Sequence, residues 1–143
     1  MRLFFYGTLT HHHDNPITRR VMPLLHRGQP GWVRGTLYAV TGPRGCYPVL
    51  GSGRGWVRGW VYETAPGFGA ATLRLLDDYE GYRPQRPARS EYLRRSVTVR
   101  LAGGGRCTAQ AYLGSRPPHA GLKPIASGDF AAWVALCGGV PFA

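Results

Sequence analysis

The sequence predicts an α+β domain: a small, mostly antiparallel, barrel-like sheet with a few short peripheral helices. Apolar and β-branched runs of strand length recur about six times, whereas helical periodicity is confined to short stretches. The two kinds of element do not alternate regularly, which argues against a parallel doubly wound sheet. Glycine (21) and proline (12) punctuate the chain, but no repeat or long linker divides it. Residues 1–143 are therefore expected to form one domain.

The first elements are a strand, a loop and a broken helix. Residues 2–6 are typical of a buried strand, which ends in the loop Gly7–Thr10. Asp14 or Asn15 can cap the helix that follows. Pro23 would cost about 3 kcal/mol inside a regular helix, so this helix is expected to be short or broken.

The remaining elements are five strands and two helices. The strands are predicted at Trp32–Val40, Cys46–Leu50, Trp56–Glu63, Tyr92–Leu101 and Cys107–Leu113. The glycine-rich segment 51–55 is expected to be a turn between two of them. Residues 70–79 have helical character, and a last helix is expected near 128–137. Ser127 is its expected cap, and Gly138 its expected end.

The charge balance suggests a partner class that the residue pattern does not support. With 18 basic and 7 acidic residues, the net charge is +11, which raises nucleic acid or an anionic membrane surface as partners. The arginines are scattered, with adjacent pairs only at 19–20 and 94–95, so nucleic acid is not the expected partner. The tryptophans are expected in the core or in a pocket wall rather than as base-stacking platforms. They are Trp32, Trp56, Trp60 and Trp133.

The cysteines and the apolar runs bear on where in the cell the protein is expected to be. No apolar run approaches the roughly 18 residues that a membrane helix needs, so no membrane association is expected. Cys46, Cys107 and Cys137 are odd in number and far apart, without the spacing of a metal site. Thiols in a reducing environment are the simplest interpretation, and a cytoplasmic location is therefore expected.

One carboxylate stands out in this basic chain. Three acidic residues, Asp77, Asp78 and Glu80, lie within four positions at the end of the predicted helix 70–79. Glu80 continues the apolar face to which Leu76 belongs. Its carboxylate can turn to water, pair with an arginine such as Arg83, or remain in a low-polarity pocket with a raised pKa. The last outcome is what a general acid/base requires at neutral pH, which makes Glu80 a candidate.

A second unusual element is Tyr6-Gly7-Thr8-Leu9, where a strongly apolar strand meets glycine. Glycine lets the backbone turn and direct its N–H groups toward a common point, which suits an anion or a developing oxyanion. An ordinary tight turn is the alternative interpretation.

Several short motifs follow one another in a recognisable order. They are Tyr6-Gly7-Thr8-Leu9, Gly35-Thr36-Leu37-Tyr38, Tyr47-Pro48, Gly59-Trp60-Val61-Tyr62-Glu63, Leu76-Asp77-Asp78-Tyr79-Glu80-Gly81, Tyr92-Leu93-Arg94 and Ala111-Tyr112. This series resembles the γ-glutamylcyclotransferase-like family, which includes the γ-glutamylamine cyclotransferases and the AIG2-like proteins. The resemblance covers residues 2–113, and residues 114–143 form a C-terminal extension outside it.

The resemblance implies a barrel-like α+β fold with one cavity, a small γ-glutamyl substrate, and neither cofactor nor metal. Members of the family release an amine or amino acid from a γ-glutamyl compound, and the glutamyl part leaves as 5-oxoproline. The family's catalytic glutamate, a general acid/base, falls on Glu80. Loop N–H groups of residues 7–9 would face the substrate's charged oxygens. The substrate-binding residues that the resemblance implies are Tyr6, Gly7, Thr8, Leu9, Tyr47 and Tyr112.

Two alternatives to an enzyme remain open. The first is a non-catalytic member of the same fold that binds a small ligand in the same cavity. The second, less favoured, is a basic nucleic-acid-binding protein. His11-His12-His13 follows the loop directly, but three consecutive side chains cannot all reach one ion, so no metal site is expected there.

Overall fold

Five strands close a barrel in the computed structural model, which describes residues 1–42, 45–115 and 122–137. The strands are β1 (Arg2–Phe5), β2 (Gln29–Gly42), β3 (Gly45–Glu63), β4 (Tyr92–Leu101) and β5 (Arg106–Gly114). They follow the order β3-β1-β5-β4-β2, and β2 pairs again with β3, which closes the ring. Among the described pairings only β1–β5 is parallel. A two-residue strand, β6 (Lys123–Pro124), adds to β2. The predicted α+β fold with a mostly antiparallel barrel is confirmed.

Within the described ranges, three short helices accompany the barrel: α1 (Pro16–Val21), α2 (Ala70–Tyr79) and α3 (Phe130–Cys137). Asn15 caps α1, because its side chain accepts the Thr18 N–H at 3.0 Å while Thr18 Oγ1 accepts the Asn15 N–H at 2.9 Å. A 3₁₀ turn that contains Pro23 follows, so this helix is broken as predicted. No helix within the described ranges has the length and apolar character that crossing a membrane requires.

The cap of α3 differs from the prediction. The helix begins at Phe130, and Asp129 Oδ1 accepts the Ala132 N–H at 3.1 Å, so Asp129 rather than Ser127 is the cap. The Ser127 hydroxyl instead accepts the Asp129 N–H at 3.3 Å. The predicted end at Gly138 lies outside the described residues.

The predicted turn at residues 51–55 is wrong. This segment continues β3, which joins two predicted strands into one. Arg34 pairs with Trp56, and Thr36 pairs with Gly51. Two residues of β2 therefore span the same distance as five residues of β3, so the segment forms an extended bulge. A Cβ on Gly53 would lie 1.8 Å from the Thr36 hydroxyl oxygen, so the close approach of the strands requires glycine there. Bulges bend a strand and increase its twist, which helps a barrel to close.

Alternate side chains of β1 enter two different buried clusters. Phe4 joins a cluster that draws on all five barrel strands. Leu3 and Phe5 join a second cluster, which includes Val21 of α1 and Leu76 of α2. This second cluster brings the end of β1 and the last turns of α2 together, and the candidate site lies where they meet.

Candidate active site

A cavity of about 280 Å³ collects every residue that the sequence predicts for catalysis or substrate binding. These are Tyr6, Gly7, Thr8, Leu9, Tyr47, Glu80 and Tyr112. Apolar and aromatic side chains complete the wall, together with a second carboxylate, Glu91. Within the described residues, the lining contains no arginine, lysine or histidine, although the chain carries a net charge of +11.

The end of α2 positions Glu80. The helix closes with a Schellman motif, in which Tyr82 N–H donates to the Asp77 carbonyl at 2.8 Å and Gly81 N–H donates to the Asp78 carbonyl at 3.1 Å. Gly81 has φ +67°, a left-handed conformation that favours glycine. The motif therefore fixes the backbone of Glu80, the residue between the helix and the glycine.

The Glu80 carboxyl lies in the low-polarity environment that the sequence left as one of three possibilities. Glu80 keeps some accessible surface because it lines the cavity, whose wall is largely apolar and aromatic. Burial, and secondarily the negative charge of Glu91, raise the pKa of Glu80 from 4.5 to about 8. None of the ion pairs within the described residues involves Glu80 or Arg83.

Asp77, rather than Glu80, is the acid that α2 pairs with an arginine. Arg94 Nε donates to Asp77 Oδ1 at 2.9 Å, and Arg94 Nη2 donates to Oδ2 at 3.4 Å. The Tyr112 hydroxyl donates to the same Oδ1 at 2.6 Å. Sequence patterns did not single out Asp77, although its position beside Leu76 puts both on the buried face of α2.

Two predicted substrate-binding tyrosines have hydroxyl groups that are already engaged. Tyr6 donates to the Tyr112 carbonyl at 2.5 Å and accepts the Leu50 N–H at 3.1 Å, while Tyr112 donates to Asp77. Burial raises the pKa of both tyrosines, so both are neutral at physiological pH. They therefore offer ring surface to the cavity rather than free hydroxyl groups.

The loop after β1 offers donors. Within the part of the chain that the structure describes, the N–H groups of Gly7, Thr8 and Leu9 have no acceptor. Asn15 Nδ2 donates to the Thr8 carbonyl at 2.9 Å, which ties the loop to the cap of α1. A Cβ on Gly7 would lie 2.6 Å from Pro48 Cγ. Close approach, and not a positive φ, is thus the reason for glycine at this position.

Tyr47 and Glu91 form a polar pair at the cavity. The Tyr47 hydroxyl donates to Glu91 Oε1 at 3.1 Å. The Glu91 backbone is held on both sides: its N–H donates to the Gly81 carbonyl at 3.1 Å, and its carbonyl accepts the Ser115 N–H at 3.2 Å. Sequence reasoning missed Glu91, whose signal was its place directly before the motif that begins at Tyr92.

Two of the three consecutive histidines, His11 and His12, pack against aromatic side chains. His11 Nδ1 and the Tyr62 hydroxyl lie 2.6 Å apart, and the rings of His11 and His12 lie 4.5 and 5.0 Å from that of Trp60. Burial lowers the pKa of His11 and of His13, with the nearby His12 adding to both shifts. Within the described residues, no group of His, Cys, Asp and Glu side chains is arranged to hold a metal ion.

One family model matches most of the chain, and several solved structures share its fold. A family model described as "Gamma-glutamyl cyclotransferase, AIG2-like" matches residues 3–132, which extends beyond the motif span 2–113 into α3. No curated protein matches the chain. An AIG2-like protein from Mus musculus is 21% identical, with a TM-score of 0.57 over 82% of this chain and 79% of that one.

Two further solved structures share the fold. A gamma-glutamyl cyclotransferase is 20% identical, with a TM-score of 0.55 over 86% of this chain and 70% of that one. An uncharacterized protein from Pyrococcus horikoshii is also 20% identical, with a TM-score of 0.58 over 96% of both chains.

Proposed function

The chain belongs to the gamma-glutamyl cyclotransferase, AIG2-like family, and on that premise we propose that it cyclises a small γ-glutamyl compound to 5-oxoproline and releases an amine or amino acid. Glu80 is the proposed general acid/base, and a cytoplasmic location is part of the proposal. The observation that carries it is the Glu80 carboxyl, which has no ion-pair partner among the described residues and shares one cavity with the loop donors of residues 7–9.

The loop supports binding of the substrate's carboxylate. Because the described lining lacks cationic side chains, the N–H groups of Gly7, Thr8 and Leu9 are the donors best suited to an anion. The cavity volume of about 280 Å³ lies near the small end of ligand pockets, which suits a γ-glutamyl group with a small leaving group. The same donors are suited to the oxyanion that develops on the γ-carbonyl oxygen.

Glu80 would act first as a general base and then as a general acid. The carboxylate takes a proton from the substrate's α-ammonium group, and the freed nitrogen attacks the γ-carbonyl carbon to form the five-membered ring. Glu80 then gives that proton to the departing nitrogen as the original amide C–N bond breaks, and the second proton that the ring nitrogen loses passes through Glu80 to the released amine. Attack within one molecule needs no protein nucleophile, and a pKa of about 8 suits both proton transfers near neutral pH.

A substrate panel tests the proposal. Purified protein is incubated with γ-glutamyl amines and γ-glutamyl dipeptides, and 5-oxoproline is measured by mass spectrometry. Glu80→Gln keeps the size of the side chain and removes its proton transfer, so kcat should fall roughly 10²–10⁴-fold. Glu63→Gln, which changes an exposed carboxylate that faces Arg2, serves as the matched control and should remain active.

Two outcomes would count against the proposal. Wild-type activity that survives Glu80→Gln would contradict the role of Glu80. Thermal stabilisation by γ-glutamyl compounds without turnover of any of them would instead support the non-catalytic binding member.

A further inference from the structure

Three arginines that are far apart in the sequence lie close together on the barrel. Arg34 on β2, Arg100 on β4 and Arg106 on β5 line one shallow groove of about 460 Å³ together with Trp56 on β3. The strand register explains the grouping, because Arg34 pairs with Trp56 and Arg100 pairs with Arg106 across adjacent strands. All four residues are exposed, while Val33 and Val99, their neighbours on β2 and β4, are buried. We call these four residues the arginine–tryptophan groove.

Trp56 is the central side chain of the groove. The guanidinium carbon of Arg34 lies 4.6 Å from the Trp56 ring centroid, and that of Arg100 lies 5.2 Å away. Trp56 is still 39% exposed, so it lies outside the core and forms part of the wall of this groove. Contacts between arginine and the ring face hold an aromatic surface at the rim of a cationic groove.

The positive charge of the groove is uncompensated in the part of the chain that the structure describes. No acidic residue lines the groove, and none occurs in β2, β4 or β5. The ion pairs of the described residues use Arg2, Arg19 and Arg94, none of which belongs to the groove.

The groove is separate from the catalytic cavity. Tyr92, which lines the cavity, begins β4, and Arg100 lies near its other end. Eight residues of strand span about 26 Å. An occupant of the groove would therefore not compete with a γ-glutamyl substrate.

We propose that the arginine–tryptophan groove binds single-stranded nucleic acid. Guanidinium groups match a phosphate backbone, and an exposed ring beside them can stack on an unpaired base. The expectation against nucleic acid rested on the linear scatter of the arginines, which the barrel register removes. An anionic membrane fits less well, because among the described residues Trp56 is the only large exposed hydrophobic side chain of the groove.

Fluorescence anisotropy with a labelled single-stranded oligonucleotide of about 16 nucleotides tests the proposal. Three arginine contacts predict that log affinity falls against log salt with a slope of about −2 between roughly 50 and 200 mM. The double variant Arg100→Gln/Arg106→Gln should reduce that slope to about −0.7. Trp56→Leu should weaken binding about tenfold at an unchanged slope, and Trp56→Phe, which keeps a stacking ring, should retain most of the affinity.

The matched control removes the same charge elsewhere. Arg86→Gln/Arg89→Gln changes two exposed arginines outside the groove and should leave most of the binding intact. Equal weakening by the control pair would overturn the proposal in favour of net charge alone. Absence of binding at low salt would also overturn it, as would Trp56-dependent binding to anionic phosphatidylserine vesicles without oligonucleotide binding. Thermal melts of each variant, together with its 5-oxoproline activity, distinguish loss of the groove from loss of the fold.

Discussion

The Tyr112 hydroxyl donates a 2.6 Å hydrogen bond to Asp77 Oδ1, so a cavity wall of β5 is joined directly to the buried face of α2. Arg94 of β4 completes the arrangement by pairing with the same carboxylate. Asp77 lies three residues before Glu80, and the motif that ends α2 passes through its carbonyl. The network therefore anchors the helix end that carries the candidate acid/base to the barrel.

Asp77→Asn should be strongly destabilising. The amide leaves the partly buried Arg94 without its counter-charge, and loss of one partner of such a pair costs about 2–4 kcal/mol. Arg94→Gln should cost a similar amount, while the double variant should lose clearly less than the sum. Urea denaturation of the wild type and the three variants measures the coupling, and strictly additive losses would show that the pair does not act as a unit.

Gly81→Ala should lower stability by about 1 kcal/mol, because φ +67° is strained for any residue with a Cβ. Steric overlap adds little, since the new Cβ would meet its nearest neighbour, Glu91 Cβ, at 3.4 Å. Gly103→Ala is the matched control, because it makes the same change to the unfolded chain with nothing within 4 Å and no positive φ. Equal melting temperatures for the two variants would contradict the prediction.

The stability of the wild type should carry a pH dependence that Glu80→Gln lacks. With a pKa near 8 when folded and 4.5 when unfolded, Glu80 stabilises the fold fully below about pH 4.5 and loses that contribution as pH rises through 8. Between these two pH values, the contribution of Glu80 to the free energy of unfolding falls by up to about 1.4 kcal/mol per pH unit. Denaturation at about pH 5 and about pH 8 should show the variant gaining relative to wild type, whereas a constant difference would refute the assigned pKa.

Glu91→Gln should shift the activity profile toward acid. Removing the negative charge of Glu91 lowers the pKa of Glu80, so the rising limb of kcat/KM moves to lower pH. Tyr47→Phe removes the hydrogen bond to Glu91 but leaves the charge, so it separates the electrostatic effect from the contact. An unshifted limb in Glu91→Gln would mean that the two carboxylates are not coupled.

The sequence predicted those structural features that depend on the residues of a single helix or strand. The bounds 70–79 of α2 follow from its apolar periodicity and from the glycine at 81, which ends it. Pro23 broke the first helix for a reason internal to that segment. The substrate-binding residues were instead implied by the family resemblance, and they share one cavity because their motifs lie at or near strand and helix ends.

Features that depend on how the strands pair could not be predicted from the sequence. The segment 51–55 has turn composition, and only its pairing opposite Arg34 and Thr36 makes it a bulge. The partner of Asp77 is 17 residues away at Arg94, so no helical spacing could identify it. The arginine–tryptophan groove likewise exists only after four strands have paired.

The parallel contact between β1 and β5 also determines when the protein can finish folding. Leu3 pairs with Gln110, 107 positions later (110 − 3). At ordinary rates of synthesis, β5 leaves the peptidyl-transferase centre roughly 5–20 s after β1. The hydrogen bond from the Tyr6 hydroxyl to the Tyr112 carbonyl can form only after a similar interval. The ring of strands, and with it the cavity, therefore forms only after most of the chain exists, and such non-local closure favours slow folding.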